Sequence, residues 1–128
     1  MKIAIIVSNL DMIGGTEIQT YGIAKRLSRN NNVTVFTRSC KGCKNVEKKG
    51  GFTIRRIRYF DIPLIGFMLF NILLLISILR NRNDIELIQS MMIINGLSGM
   101  VAKIILRVPL IICIRTSYLI ENDNPFLR

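Results

Sequence analysis

The chain has 128 residues, 18 Lys and Arg against 8 Asp and Glu, and a formal net charge of +10 at pH 7. Half of the residues are hydrophobic, which excludes an intrinsically disordered chain, and the length fits one small domain. The absence of His excludes a His-based catalytic or metal site, and three Cys are too few for a disulfide scaffold.

The first predicted unit is a buried strand followed by a helix. Residues Lys2–Val7 form an apolar run that indicates a strand buried on both faces, and Thr16–Arg29 has the apolar spacing of a helix. Between them, Gly14 and Gly15 allow a ligand to approach the backbone closely, beside a helix N-terminus that attracts anions. A loop that requires positive φ is the alternative explanation of the glycine pair.

The region around the second and third predicted strands is strongly basic. Val33–Thr37 is the second strand, Ser39–Gly51 is a polar loop, and Phe52–Tyr59 is a strand whose charged centre places it at a sheet edge. Eight Lys or Arg and a single acid lie within Arg38–Arg58. A phosphorylated ligand or an anionic membrane suits that charge, as does a solvated loop without a partner. We expect no nucleic-acid partner, because aromatic stacking residues are not interleaved with these charges.

Cys40 and Cys43 form a C-x-x-C motif after the second strand. Such a motif supports redox chemistry when its first Cys begins a helix, but Gly50 and Gly51 leave room for two helical turns at most. We therefore expect a reduced, non-catalytic pair, with a thiol oxidoreductase as a minor alternative. Zinc needs four ligands and the third Cys, Cys113, lies in a predicted buried strand, so no metal site is predicted.

A long apolar segment follows Pro63. Leu64–Leu79 has 16 residues, no charge and apolar side chains nearly all round, whereas a crossover helix needs only one apolar face. Three hypotheses stay open: a helix that lies on or dips into a membrane, a helix covered by another part of a longer protein, or a membrane-spanning helix shorter than the usual ~20 residues. We expect membrane attachment, to which Arg80 and Arg82 would contribute headgroup contacts.

The remaining elements complete an alternating pattern. Ile85–Gln89 is a strand, an amphipathic helix begins at Asn95, and Pro109–Ile114 is a last buried strand. This alternation predicts an α/β fold, a Rossmann-like three-layer αβα sandwich with a mostly parallel sheet. We expect the first strand at the centre between the second and fourth, and the third at an edge. Ligands of such sheets bind beyond the carboxyl ends of the strands.

Five short stretches follow one another in an order typical of one enzyme family. The first half contains Lys-Ile-Ala-Ile-Ile-Val, Gly-Gly-Thr-Glu and Asn-Val-Thr-Val-Phe-Thr, and the second contains Asp-Ile-Glu-Leu-Ile-Gln and Val-Pro-Leu-Ile-Ile-Cys-Ile-Arg. Together they resemble the amino-terminal domain of a GT-B glycosyltransferase of the family 4 type. Neither the dinucleotide fingerprint nor the phosphate-binding P-loop is present.

The resemblance implies transfer of sugar from a nucleotide-diphosphate sugar to a glycan or lipid-linked acceptor, without a cofactor. In that family this domain mainly binds the acceptor, and the donor sits mostly on a second domain. Residues 1–128 are therefore expected to form a single, incomplete amino-terminal domain that needs a carboxyl-terminal domain. The alternative is a membrane-attached, non-catalytic subunit of a split transferase, which recruits a separate donor-binding subunit.

The resemblance also assigns substrate-binding residues. Gly14 and Gly15 would present backbone N–H groups to the ligand, Glu17 completes the G-G-x-E pattern, Ser90 would line the cleft, and Arg115 would contact a phosphate or an acceptor acid. The family often has His-x-His where this chain has Gln-Ser-Met, and His at the position of Arg115. Since Arg is never deprotonated in proteins, no catalytic base is assigned.

The expected location combines two features of the sequence. The apolar run at the N-terminus is too short for a signal peptide, which indicates the cytoplasm. The apolar segment and the basic stretch predict binding to an anionic membrane surface, peripheral to the inner face of the cell membrane.

Overall fold

The computed structural model describes residues 1–11 and 14–114, apart from the side chains of residues 94 and 95. The strands are β1 (Lys2–Ile6), β2 (Asn32–Arg38), β3 (Val46–Lys49), β4 (Phe52–Ile57), β5 (Leu87–Ser90) and β6 (Leu110–Ile112). The helices are α1 (Gly15–Leu27), α2 (Ile65–Arg80) and α3 (Ile93–Leu106), with a 3-10 turn at Arg82–Asp84.

The strands of the described residues form one mostly parallel sheet in the order β3-β4-β2-β1-β5-β6. β1 lies between β2 and β5 and is parallel to both, so that Ile5 pairs with Val35 on one side and with Gln89 on the other. β4 extends the sheet beside β2 and β6 extends it beside β5, both in parallel. The predicted α/β sandwich and the central first strand are confirmed.

The predicted position of the third strand at an edge is wrong. The predicted loop Ser39–Gly51 contains β3, which pairs with β4 in antiparallel fashion and forms the edge itself. Gly50 (φ 64°) and Gly51 (φ 89°) make the two-residue turn, because that turn requires positive φ at both positions. Three of the four residues in β3 are charged, which suits an exposed edge strand. The same charges give β3 no apolar pattern by which the sequence would predict a strand.

Apolar side chains fill both faces of the sheet. On the α1 face, Ile5 and Val35 belong to one buried cluster. On the face covered by α2 and α3, Ile6 and Phe36 belong to a second cluster with Leu74 of α2. Neighbouring residues of β1 and β2 thus point to opposite faces, which explains why β1 is a continuous apolar run and why β2 has apolar residues on both faces.

Helix α2 buries a single stripe of its apolar surface. Its buried residues are spaced by four: Gly66, Phe70, Leu74 and Ile78. A side chain at Gly66 would collide with the carbonyl oxygen of Phe60, so the loop before α2 requires glycine there. Ser98 of α3 donates its hydroxyl hydrogen to Asn71 Oδ1 at 2.6 Å, which joins the two helices. In the part of the chain that the structure describes, no helix is long and apolar enough to cross a membrane.

Replacing Leu74 tests the contribution of this stripe to stability. The Leu74 side chain is 0% exposed, so Leu74→Ala is expected to lower the free energy of unfolding by about 2–5 kcal/mol through lost burial and a cavity. Ile72→Ala is the matched control, because Ile72 lies half a turn away and is 52% exposed; its change should stay within about 0.5 kcal/mol. Urea unfolding followed by circular dichroism measures both, and equal losses would contradict the assignment of the buried stripe.

Candidate functional site

The carboxyl ends of the parallel strands meet at one edge of the sheet, where backbone hydrogen bonds continue past the strands. The amide of Arg38 donates to the carbonyl of Ser8 at 3.2 Å, and the amide of Cys113 donates to the carbonyl of Ser90 at 2.8 Å. The buried Thr37 hydroxyl accepts a hydrogen bond from the Leu10 amide at 2.8 Å. These bonds fix the loops after β1, β2, β5 and β6 side by side, as a ligand-binding edge requires.

Helix α1 begins at this edge with the predicted glycine pair. Gly14 caps the helix in an extended conformation (φ −156°), and Gly15 is not in the left-handed region either, so the positive-φ explanation of the pair is wrong. The space beside Gly15 is open, which leaves the helix N-terminus accessible. A Cβ at Gly14 would collide with the carboxylate of Glu17. Glu17 therefore folds back to the helix N-terminus, where its negative charge is favourable and where an anionic ligand would bind.

The two other predicted site residues differ in what the structure shows of them. Ser90 is fully buried at the end of β5, and its hydroxyl donates to the carbonyl of Met92 at 2.8 Å. The hydroxyl thus shapes the turn between β5 and α3. Arg115 lies outside the described residues. The structure therefore brings Gly14, Gly15 and Glu17 together at the N-terminus of α1, and it places Ser90 at the end of β5, the strand next to β1, on the same edge of the sheet.

A buried arginine beside this edge was not predicted. The side chain of Arg56 is 4% exposed and makes a two-pronged ion pair with Asp11: Nε donates to Oδ2 at 3.0 Å and Nη2 donates to Oδ1 at 2.9 Å. Nη1 donates to Glu47 Oε2 and to the carbonyl of Lys44, both at 2.9 Å. The hydrogen bonds to Asp11, and then to Glu47, raise the pKa of the Arg56 guanidinium above its ordinary value despite burial.

The Arg56 ion pairs connect three parts of the fold. Asp11 lies in the loop that leads to the glycine pair, Glu47 lies in β3, and Lys44 lies in the preceding loop. The signal for this role was the alternation of β4, where Arg56 follows Phe52 and Ile54 of the α1-facing cluster at steps of two. A buried position for Arg implies carboxylate partners.

A second arginine at the edge has no carboxylate partner among the residues that the structure describes. The guanidinium carbon of Arg38 lies 3.5 Å from the ring centroid of Tyr59, a cation–π contact. Tyr59 in turn packs edge-to-face on Phe70 of α2, with ring centroids 6.0 Å apart. The buried Nε of Arg38 has no hydrogen-bond partner within residues 1–11 and 14–114. Arg38 is therefore a positioned cation at the carboxyl edge.

The predicted reduced state of the C-x-x-C pair is wrong, because the structure joins Cys40 and Cys43 in a disulfide. The turn at Gly42 (φ 78°) brings the two Cα atoms to 5.3 Å, within the range that a disulfide spans. The pair leads into β3 and does not begin a helix, so the helix effect that lowers a thiol pKa is missing. The non-catalytic role of the pair stays a prediction.

The same pair lies next to Asp11. The two sulfurs and a carboxylate oxygen of Asp11 lie within 4.8 Å of one another. Both sulfurs are in the disulfide and the carboxylate is bound to Arg56, so these three groups are not free to bind a metal ion.

The sequence of the chain matches a known protein family. A profile of Glycosyltransferase Family 4 matches residues 13–127, nearly the whole chain, and the chain belongs to that family. The sequence resemblance to an amino-terminal GT-B domain of the family 4 type is confirmed.

Solved structures agree with this fold. The chain is similar to sucrose-phosphate synthase from Thermosynechococcus elongatus, with a TM-score of 0.77 at 14% identity over 96% of this chain and 35% of that chain. A second structure of that protein, from a twinned crystal, gives a TM-score of 0.60 at 15% identity over 89% of this chain and 63% of that chain. The chain thus spans less than two thirds of either relative's length. A search of curated protein sequences gives no match.

Arg56→Met tests the ion-pair cluster. The substitution leaves two carboxylates without a partner, and we expect it to lower the free energy of unfolding by about 2 kcal/mol. This is less than the ~3–5 kcal/mol of a fully buried pair, because the side chains of Asp11 and Glu47 are 25% and 36% exposed and keep contact with water.

A control substitution and a double-mutant cycle separate the energy of the Arg56–Asp11 ion pair from the effect of burying the Arg56 side chain. Arg55→Met, one residue away and without an ion pair in the described chain, should change stability by no more than about 0.5 kcal/mol. In a double-mutant cycle with Asp11→Asn, the coupling energy should be at least about 1 kcal/mol. A coupling energy near zero in chemical unfolding would contradict the role given to Arg56.

Proposed function

We propose that this chain is the acceptor-side domain of a glycosyltransferase. With a donor-binding domain, it would transfer sugar from a nucleotide-diphosphate sugar to a glycan or a lipid-linked acceptor. The observation that carries the proposal is the N-terminus of α1 at the carboxyl edge of the sheet, where Gly15 is exposed, in a chain of Glycosyltransferase Family 4. The Glu17 carboxylate lies at this helix start, and an anionic group of the substrate suits the same position.

The proposed roles follow from where the groups lie. Gly14 and Gly15 present backbone N–H groups, and Glu17 leaves the helix N-terminus when an anion takes its place. Arg38 contributes a cation whose Nε has no hydrogen-bond partner in the described chain. Ser90 holds the β5–α3 turn that lines the cleft, and Arg115 would contact a phosphate or an acceptor acid. These groups bind and orient a substrate; no catalytic base is assigned to this chain.

The second wall of the cleft would come from a donor-binding domain. The chain spans 35% of the length of one sucrose-phosphate synthase chain and 63% of another. This supports residues 1–128 as a single, incomplete amino-terminal domain. The same observation favours the second candidate, a non-catalytic subunit of a split transferase that recruits its donor-binding partner. In both cases transfer needs both walls, because donor and acceptor must be held in reacting geometry.

We also propose that the chain attaches to a membrane surface. Apolar side chains stand exposed along both helices of one face of the sheet, and more than half of the surface is exposed in Ile65, Met68 and Ile72 of α2 and in Leu97 and Ile104 of α3, among others. With the net charge of +10, this surface suits peripheral attachment to the anionic inner face of the cell membrane.

Sugar transfer is tested by fusing the chain to a donor-binding domain. The 128-residue chain alone should give no steady transfer from any nucleotide sugar, and fusion to the carboxyl-terminal domain of a family 4 enzyme should produce transfer to a membrane-extract acceptor. In that fusion, Gly15→Asp should reduce transfer at least about tenfold, because a carboxylate at the helix N-terminus repels an anionic substrate.

The matched control for this substitution is Gly22→Asp. Gly22 has equally open space beside it and lies two turns along the same helix, so its variant should transfer within about twofold of the parent fusion. Turnover by the unfused chain, or equal losses in the two variants, would contradict the proposed function.

Membrane attachment is tested by vesicle co-sedimentation. Binding to anionic vesicles should fall as salt rises, because charges near the surface are screened. Ile72→Asp should weaken binding at least about tenfold by removing apolar contact area from α2. Ile18→Asp is the control, since Ile18 is 66% exposed but lies on α1, on the other face of the sheet. A chain that stays in the supernatant at low salt would contradict attachment.

A further inference from the structure

A groove of about 530 Å³ lies between β4 and the second half of α2. Its volume is within the ~300–1,000 Å³ of small-molecule sites. The groove exists because α2 packs its buried stripe over the centre of the sheet and leaves the outer part of β4 uncovered. The side chains that matter here are Arg55, Arg58, Leu73, Ile76, Ser77 and Arg80.

The groove carries a concentration of positive charge without acids. Arg55, Arg58 and Arg80 line it, and no Asp or Glu of residues 1–11 and 14–114 does. The ion pairs found in the described stretches of the chain involve only Lys2 and Arg56 as cations, so these three arginines have no carboxylate partner there. Like charges at one site repel one another, and an anion bound among them removes that repulsion.

The geometry of the donors favours a phosphate group. A guanidinium offers a planar fork of N–H donors that matches phosphate oxygens, and Arg55 is half-buried, which strengthens such a contact. Ser77 adds a hydroxyl at the wall formed by α2. A dianionic phosphate monoester balances more of this charge than a carboxylate or a phosphodiester does.

The wall formed by α2 is apolar. Leu73 and Ile76 line the groove, and Ile76 is 41% exposed. This wall continues onto the exposed Ile72 of the same helix. An occupant with an anionic head and an apolar chain therefore contacts both kinds of surface, whereas a free phosphate leaves the apolar wall in water.

We propose that this groove binds the phosphate head of an amphiphilic phosphate monoester, with its apolar chain along α2. This binding requires no sugar nucleotide and no donor-binding domain. Its failure would leave the transfer experiment untouched, and the two results are therefore distinguishable.

Nuclear magnetic resonance titration of the full 128-residue chain tests the proposal. Dioctanoyl phosphatidic acid, below its micelle concentration, should bind saturably and shift the resonances of residues that line the groove. Glycerol 3-phosphate has the same phosphate without the chains and should bind at least about tenfold more weakly. Dioctanoyl phosphatidylcholine has the chains without the monoester and should not saturate the site.

Single substitutions define the site. Arg55→Gln and Arg80→Gln should each raise the Kd about tenfold, since each removes a charge-assisted hydrogen bond. Arg29→Gln is the matched control: Arg29 is exposed, follows α1 on the opposite face of the sheet and does not line this groove, so its Kd should stay within about twofold. Circular dichroism shows that each variant is folded.

Three outcomes would overturn the proposal. An equal loss in Arg29→Gln would show attraction to the net charge of the chain. Equal affinity for glycerol 3-phosphate would show that the apolar wall does not contribute. Tighter binding of a single-stranded oligonucleotide than of dioctanoyl phosphatidic acid would assign the groove to nucleic acid.

Discussion

The parallel pairing of β1 with both β2 and β5 determines where the candidate functional groups lie. Parallel strands need crossover connections, and these bring the carboxyl ends of the strands to one edge. Because β1 and β2 are buried on both faces, most of their side chains are apolar, and the charged and hydrogen-bonding side chains of the candidate site lie where the strands end. The N-terminus of α1, Arg38 and Ser90 are neighbours for this reason, although they are far apart in the sequence.

Arg56 is what holds the charged outer part of the sheet to that edge. A buried cation destabilises a fold unless its donors are satisfied, and here Nε and both Nη atoms bind two carboxylates and a carbonyl. The result is that β3, which has little apolar surface of its own, is joined to the loop after β1. Residues that bind no ligand thus maintain the geometry of the candidate site.

The sequence was sufficient for those features that depend on apolar pattern. The central strand, the parallel neighbours and the helical segments followed from continuous or periodic apolar runs such as Lys2–Val7. The sequence was insufficient where charged residues form part of the sheet. β3 is a strand because the Gly50–Gly51 turn pairs it with β4, although most of its residues are charged. Arg56 is buried because its carboxylate partners lie 9 and 45 residues away in the sequence. The disulfide depends on the local turn at Gly42. The expected cytoplasmic location favoured reduced thiols, so the sequence analysis did not predict this bond. Within the candidate site, the glycine pair was located correctly, but its backbone conformation could not be read from two Gly residues.

The apolar surface of α2 and the arginine groove impose one joint requirement on whatever contacts this face. A covering protein segment would have to bring apolar side chains to Ile72 and carboxylates to Arg55 and Arg80 at once. Otherwise it would remove these arginines from water without a counterion, at a cost of several kcal/mol each. An anionic lipid surface meets both demands with a single kind of molecule, because headgroup and chain are already joined. On that proposal, one partner would account both for the apolar residues of α2 that the core does not use and for the unpaired arginines beside them.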